Sequence, residues 1–182
     1  ESLIPMYGSG PDINSTGSGY LSRVDFIEIL QYADHRNIKV IPQISYPSHM
    51  RSAIISMDVR YQKYMELGNQ EEAEKYLLSD PDDESEYYSA QGFDDNIACI
   101  CRESAFTFYE KVIDEIYLMY QEAGVELNKF GIAADELPYG AWQKSPICDQ
   151  YMEENSIAGD YNALYEICRE EFMIIFHHTM QP

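Results

Sequence analysis

The sequence is short of positive charge. Twelve Lys and Arg stand against 32 Asp and Glu in 182 residues, a formal net charge of −20 at pH 7. A nucleic acid would be repelled, and no basic stripe interrupts the acidity to offer it a seat. An anionic membrane surface is disfavoured by the same sign, whereas a neutral substrate is indifferent to it. Long apolar runs are missing too. No stretch approaches the roughly 20 residues that cross a bilayer, so no membrane span is expected. Tryptophan is represented only by Trp142, which reads as a packing anchor. Cysteine is sparse: Cys99, Cys101, Cys148 and Cys168 have no His nearby, and a C-x-C pair is not the spacing of a zinc knuckle. They read as small buried hydrophobes, with no pairing fixed. The acidic run "DPDDESE", 80–86, lacks the Gly and the terminal Glu of an EF-hand and reads as a solvated loop. No metal and no cofactor is expected.

What is present suffices for one packed domain: 45% of the residues are apolar and 13% aromatic, with sixteen Tyr. Residues 5–20 are rich in Gly, Ser and Pro and read as a loop. Ser22, with Asp25 three positions on, predicts a helix N-cap, and Phe26, Ile29, Leu30 and Ala33 supply an apolar face. "IKVIPQI", 38–44, predicts a buried strand ended by Pro47. Residues 49–66 are periodic, with Ala53, Ile54, Met57 and Tyr61 on one face. An acidic excursion with a short helix inside it follows. The next helix, 103–124, carries Phe108, Val112, Ile116, Met119 and Tyr120 on one side and stops at Gly124. "KFGIAA", 129–134, predicts a second strand, and a last helix runs from about Tyr161 to Phe176. Strands alternating with helices imply an α/β fold with parallel βαβ units.

In such folds functional groups gather beyond the carboxyl ends of the strands. Two strand ends are legible here. One leads into "QISYPSH" and carries His49; the other leads into "ADELP" and carries Asp135 and Glu136. Both ends are expected to open on one face, which would assemble an imidazole and two carboxylates, the groups that general acid–base chemistry uses.

The segments "GSGYLSRVDFIEILQYADHRNIKVIPQI", "LLSDPDDESEYYSAQGFDDN" and "ADELPYGAWQKSP", in this order, resemble glycoside hydrolase family 20, the β-N-acetylhexosaminidases, and its chitobiase-like bacterial members in particular. The likeness runs from about Leu3 to Cys148. It implies a TIM-barrel catalytic domain, of which residues 1–182 would hold about the third and fourth strands with their helices and loops, since a complete barrel takes about 250 residues. It also implies removal of terminal β-linked N-acetylglucosamine or N-acetylgalactosamine with retention of configuration. In this family the substrate's own 2-acetamido oxygen is the nucleophile, an exception to the usual two-carboxylate scheme. By resemblance Glu136 is the general acid/base on the glycosidic oxygen, Asp135 orients the acetamido nitrogen, and His49 hydrogen-bonds the catalytic Glu. Glu136 would then need burial or a neighbouring negative charge to hold its proton. The implied partner is an N-acetylhexosamine-containing oligosaccharide or glycoconjugate, and the implied location is exported: periplasmic, surface or extracellular.

The sequence departs from the family pattern around the acids. Gln43 and Ser45 stand where carboxylates are usual, Ser48 replaces a Gly, Gly131 replaces a His, Ala133 and Ala134 replace two Gly, and Cys99-Ile100 replaces an Asn-Pro. Two functional readings follow: the central part of a hexosaminidase catalytic domain, inactive as a fragment, or a drifted non-catalytic α/β module kept for binding or assembly. Two barrel strands outside a closed ring would leave raw edges, so self-association into a homo-oligomer is expected of the isolated chain.

Overall fold

A computed structural model describes residues 20–179. The loop expected over 5–20 lies, apart from Tyr20, outside them. Six helices and two short strands are found among the described residues: α1 (Arg23–Asp34), β1 (Gln43–Ser45), α2 (Arg51–Glu66), α3 (Gln70–Glu74), α4 (Glu103–Ala123), β2 (Gly131–Ala133), α5 (Pro146–Glu154) and α6 (Tyr161–Thr179). β1 and β2 form a two-stranded parallel sheet. The described residues divide into two compact units, one up to Pro42 together with residues 115–131, the other of residues 43–114 and from Ile132 on.

The first unit begins at α1. Ser22 and Asp25 form the expected capping box, each side chain satisfying a backbone N–H that the first helical turn leaves open. Of the expected apolar face, Leu30 and Ala33 are buried, while Ile29 stays exposed. Phe26 meets the Tyr120 ring edge-on at 6.1 Å, and the Tyr120 hydroxyl donates to the Val40 carbonyl at 2.9 Å. Arg23 reaches Glu115 and Glu122 at 3.0 and 2.6 Å. The strand expected over 38–44 is not formed at its start. Pro42 has no N–H to give a ladder; its carbonyl accepts from the Gly131 N–H at 2.8 Å. Ile38 and Ile41 remain exposed, so only the tail of that run is strand.

The second unit holds the larger core. Tyr46, directly after β1, stacks on Phe172 of α6 at 4.8 Å and meets Tyr109 of α4 edge-on at 4.6 Å. The buried side of α4 is therefore Ala105, Tyr109 and Ile113, continuing to Tyr120; of the expected stripe led by Phe108, only Tyr120 is fully buried. The tyrosines decide the difference: Tyr109 buries its ring and spends its hydroxyl on the Ser45 carbonyl at 2.9 Å. α2, α3 and α6 lie where the sequence puts them. α5 was not expected, although Ser145 accepts from the Cys148 N–H as N-cap and Pro146 opens the helix.

Two cysteines depart from the sequence reading. Cys101 and Cys148 form a disulfide, whereas Cys99 and Cys168 are buried free thiols. The Cys99 sulfur lies 3.9 Å from that of Cys148. Burial pushes the Cys99 thiol up to about 11 and that of Cys168 to about 12. Only a thiolate attacks a disulfide, so at neutral pH Cys99 is a quiet neighbour of the bridge. Trp142 is a packing anchor, 3% exposed, with its indole N–H donating to the Ala98 carbonyl at 3.0 Å. No helix among the described residues is long and apolar enough to cross a membrane.

Candidate active site

The candidate site is built where the chain leaves the two strands. After β1, Tyr46, Pro47 and Ser48 are buried and His49 is half-buried. Their backbone is zipped onto residues 96–98: the Ala98 N–H donates to the Pro47 carbonyl and the Met50 N–H to the Asn96 carbonyl, both at 2.9 Å. After β2 the chain is held at its carbonyls. Tyr165 of α6 donates its hydroxyl to the Ala134 carbonyl at 3.0 Å, and the buried Ser48 hydroxyl donates to that of Asp135. The Tyr46 N–H donates to the Ala133 carbonyl at 2.9 Å and fixes the register between the two ends.

This scaffold brings His49, Asp135 and Glu136 together. His49 Nε2 stands 3.4 Å from Glu136 Oε2, and one ligand atom from each of the three residues lies within 4.8 Å of the others. His49 and Glu136 both have positive φ, 59° and 56°. Non-Gly residues there cost of order 1 kcal/mol or more and persist only where surrounding contacts enforce them. Strain at two facing side chains on different strand ends marks the spot independently of their chemistry. Both carboxylates are exposed; 47% of the Glu136 side chain and 27% of His49 are open. The burial expected around Glu136 is therefore not found: the side chain points into the open instead of a closed pocket. A nitrogen and two oxygens at this spacing could also hold a cation. A second cluster of suitable groups, Cys99, Cys101 and Cys148, has two members locked in the disulfide.

One residue in contact with the acids was not foreseen. The Gln91 amide donates to Glu136 Oε2, the oxygen that faces His49. Gln91 sits on a tight turn closed by Ser89, which is buried. The Ser89 N–H donates to the Phe93 carbonyl at 2.8 Å, and the Phe93 N–H donates back to the Ser89 hydroxyl at 3.1 Å. The only trace in the sequence is the "SAQGF" turn within the acidic excursion. Ser45, by contrast, accepts at its carbonyl from the Tyr109 hydroxyl at 2.9 Å.

Residues 5–181 match the family model for the glycosyl hydrolase family 20 catalytic domain. The chain belongs to glycosyl hydrolase family 20. It is 48% identical over 146 residues to a beta-hexosaminidase of Vibrio vulnificus, an alignment covering 80% of this chain and 17% of that protein. It is 45% identical over 139 residues to N,N'-diacetylchitobiase of Vibrio harveyi, covering 74% and 15%. The fold superposes on the crystal structure of a GH20 exo-beta-N-acetylglucosaminidase from Vibrio harveyi in complex with N-acetylglucosamine. The TM-score is 0.67 at 25% identity, over 92% of this chain and 22% of that one. The chain thus spans under a fifth of the length of these two curated relatives.

Proposed function

We propose that this chain is the part of a β-N-acetylhexosaminidase catalytic domain that carries its acid–base machinery, and that the polypeptide bearing it releases terminal β-linked N-acetylglucosamine or N-acetylgalactosamine. The observation that carries the reading is the convergence of His49, Asp135 and Glu136 at two adjoining strand ends, in a member of a glycosidase family. Glu136 gives its proton to the glycosidic oxygen as the bond breaks. Asp135 orients the 2-acetamido group and balances the charge that grows on its nitrogen while the acetamido oxygen attacks the anomeric carbon. Water then opens the oxazolinium-type intermediate, with Glu136 taking the proton back, and the configuration is retained. His49 and Gln91 converge on one oxygen of Glu136 and leave its other oxygen for the substrate. The rest of the barrel, including the walls that would exclude water from the exposed acids, comes from elsewhere in the longer protein.

The mechanism makes the bicyclic intermediate the species that Asp135 feels most. A thiazoline mimic of it should bind the full-length polypeptide tightly, and Asp135→Asn should weaken that inhibition by about 10²-fold, since transition-state-like ligands report such losses most strongly. Turnover of chitobiose with a β-configured sugar as first product, seen by NMR, completes the test. An unchanged affinity for the mimic in Asp135→Asn would overturn the role of Asp135. Absence of any turnover in the full-length wild type would favour the drifted binding module.

A further inference from the structure

The two sulfurs of the Cys101–Cys148 bridge have a third beside them. Cys99 is a free thiol, 2% exposed, and its sulfur lies 3.9 Å from that of Cys148. All three sulfurs fall within 4.8 Å of one another. Cys99 replaces an Asn of the family pattern, so the third sulfur is a departure of this chain. Its position decides how it can act on the bridge. Exchange needs the attacking sulfur in line with the bond that breaks. A disulfide being about 2 Å long, an in-line attacker 3.9 Å from one sulfur would stand about 6 Å from the other, beyond the observed limit. Cys99 therefore lies beside the bridge, as the third corner of a triangle.

A triangle of sulfurs is a ligand geometry. Around one cation, with metal–sulfur bonds of about 2.3 Å, three thiolates stand about 4 Å apart. Cys99 and Cys148 already have that separation. Only the Cys101 sulfur has to swing out, and cutting the bridge frees it to do so. The backbone under the cluster is held: the Cys99 N–H donates to the Leu78 carbonyl at 2.7 Å, and the Cys148 N–H to the Ser145 hydroxyl at 3.2 Å in the first turn of α5. A separate observation points to a cation. Cys99 also lines an open cavity of about 190 Å³ whose walls carry Asp58, Asp80, Asp83, Asp94 and Asp95. Among the described residues that line it there is no Lys or Arg; Arg51 pairs with Asp95 at 2.7 Å. Walls of one sign concentrate ions of the other, and here a sulfur stands in the wall. Asp80 ties the cavity to the cluster: it is buried, and its carboxylate accepts at 2.6 Å from the hydroxyl of Ser145, the cap of the helix that bears Cys148.

We propose that reduction of the Cys101–Cys148 bridge turns Cys99, Cys101 and Cys148 into a site for one soft, thiophilic cation of the class of cadmium or copper(I). Thiolates select such ions, and three sulfurs fall one ligand short of the closed tetrahedral set of structural zinc. A dithiol reductant supplies two electrons and two protons: the S–S bond breaks, each of its sulfurs becomes a thiol, and the reductant closes to its own disulfide. As the cation binds, each of the three thiols gives its proton to water and a sulfur lone pair to the cation, whose oxidation state does not change. No step uses Asp135 or Glu136, so the site is independent of the proposed function.

The test is a titration of Cd²⁺ into the full-length polypeptide, dithiol-reduced and then freed of reductant under argon. Sulfur-to-cadmium charge-transfer absorption reports ligation, and near-ultraviolet circular dichroism reports packing. The reduced wild type is expected to take up Cd²⁺ with a charge-transfer band while its circular dichroism stays near that of the oxidised protein. Cys99→Ser keeps the native bridge until it is reduced. Once reduced it should bind Cd²⁺ about 10²-fold more weakly, since losing even a partner of a ligand costs about 10–100-fold in affinity. Cys99→Ala, which buries no hydroxyl, should match Cys99→Ser. Equal affinity in the reduced wild type and either variant would overturn the proposal, because the third sulfur would then be idle. A reduced wild type that loses its near-ultraviolet signal and does not regain it with Cd²⁺ would overturn it too, because the cluster would not survive the loss of the bridge.

Discussion

The two strand ends that make the site are built in opposite ways. Beyond β1 the chain runs inward: Tyr46, Pro47 and Ser48 are buried, the backbone is zipped to residues 96–98, and only the His49 side chain emerges. Beyond β2 it runs outward: Asp135 and Glu136 are exposed, and the polypeptide is gripped by its carbonyls while the carboxylates point to the open side. Under the proposed function, one end is scaffold and the other carries the reactive groups. Holding the backbone and sparing the side chains lets an exposed acid still be an accurately placed one, which matters because small misplacements of a catalytic group can cost about 10²-fold in rate.

If that contrast is right, damage to the scaffold end should appear as stability and damage to the open end as rate. The largest stability effect is expected at the disulfide that ties Cys101, in the segment running along the β1 end, to α5. The sequence separation of 47 residues corresponds to a loop-closure contribution of about 4 kcal/mol. Cys148→Ser should lose most of it in chemical denaturation. Cys101→Ser, refolded in air, should lose less, because the Cys99 sulfur is 3.9 Å from that of Cys148 and can close nearly the same loop. Peptide mapping that finds Cys148 unpaired in Cys101→Ser would break this expectation.

A smaller effect of opposite sign is expected at Tyr46. Its ring is packed between Tyr109 and Phe172, but its buried hydroxyl has no hydrogen-bond partner. The same burial drives its ionisation well above the ordinary tyrosine range. A buried polar group left unpaired costs about 1–3 kcal/mol. Tyr46→Phe should therefore stabilise the protein by about 1 kcal/mol and raise Tm, with no change in turnover. A loss of activity at unchanged stability would mean that the β1 end takes part in chemistry beyond His49.

The meeting of His49, Asp135 and Glu136 was more legible in the sequence than the scaffold that holds them. Their convergence was legible because each follows a strand, and the carboxyl ends of neighbouring parallel strands open on one face. The helix caps at Ser22 and Gly124 were legible because they are local rules. What escaped depends on tertiary partners. Gln91 reaches Glu136 from 45 residues away, out of an acidic excursion that looks like plain solvated surface. On α4 the expected face held Tyr120, which is buried, but missed Tyr109, which the fold buries by giving its hydroxyl a carbonyl. The start of the first strand was lost at Pro42, whose missing N–H leaves the ladder only a carbonyl. The pairing of Cys101 with Cys148 is set by proximity that spacing does not encode.

The central claim is that the open end does the chemistry and that Glu136 is its acid. The most direct measurement is the rate of Glu136→Gln in the full-length polypeptide across N-acetyl-β-glucosaminides of graded leaving-group ability, with thermal stability followed in parallel. Loss of the acid should lower kcat/KM by about 10²–10⁴-fold for alkyl or sugar leaving groups, which need a proton. For a dinitrophenyl group, which leaves without one, the loss should be far smaller, with Tm unchanged. A uniform loss across all leaving groups, or none on chitobiose, would contradict the assignment of Glu136 and with it the division between the two strand ends.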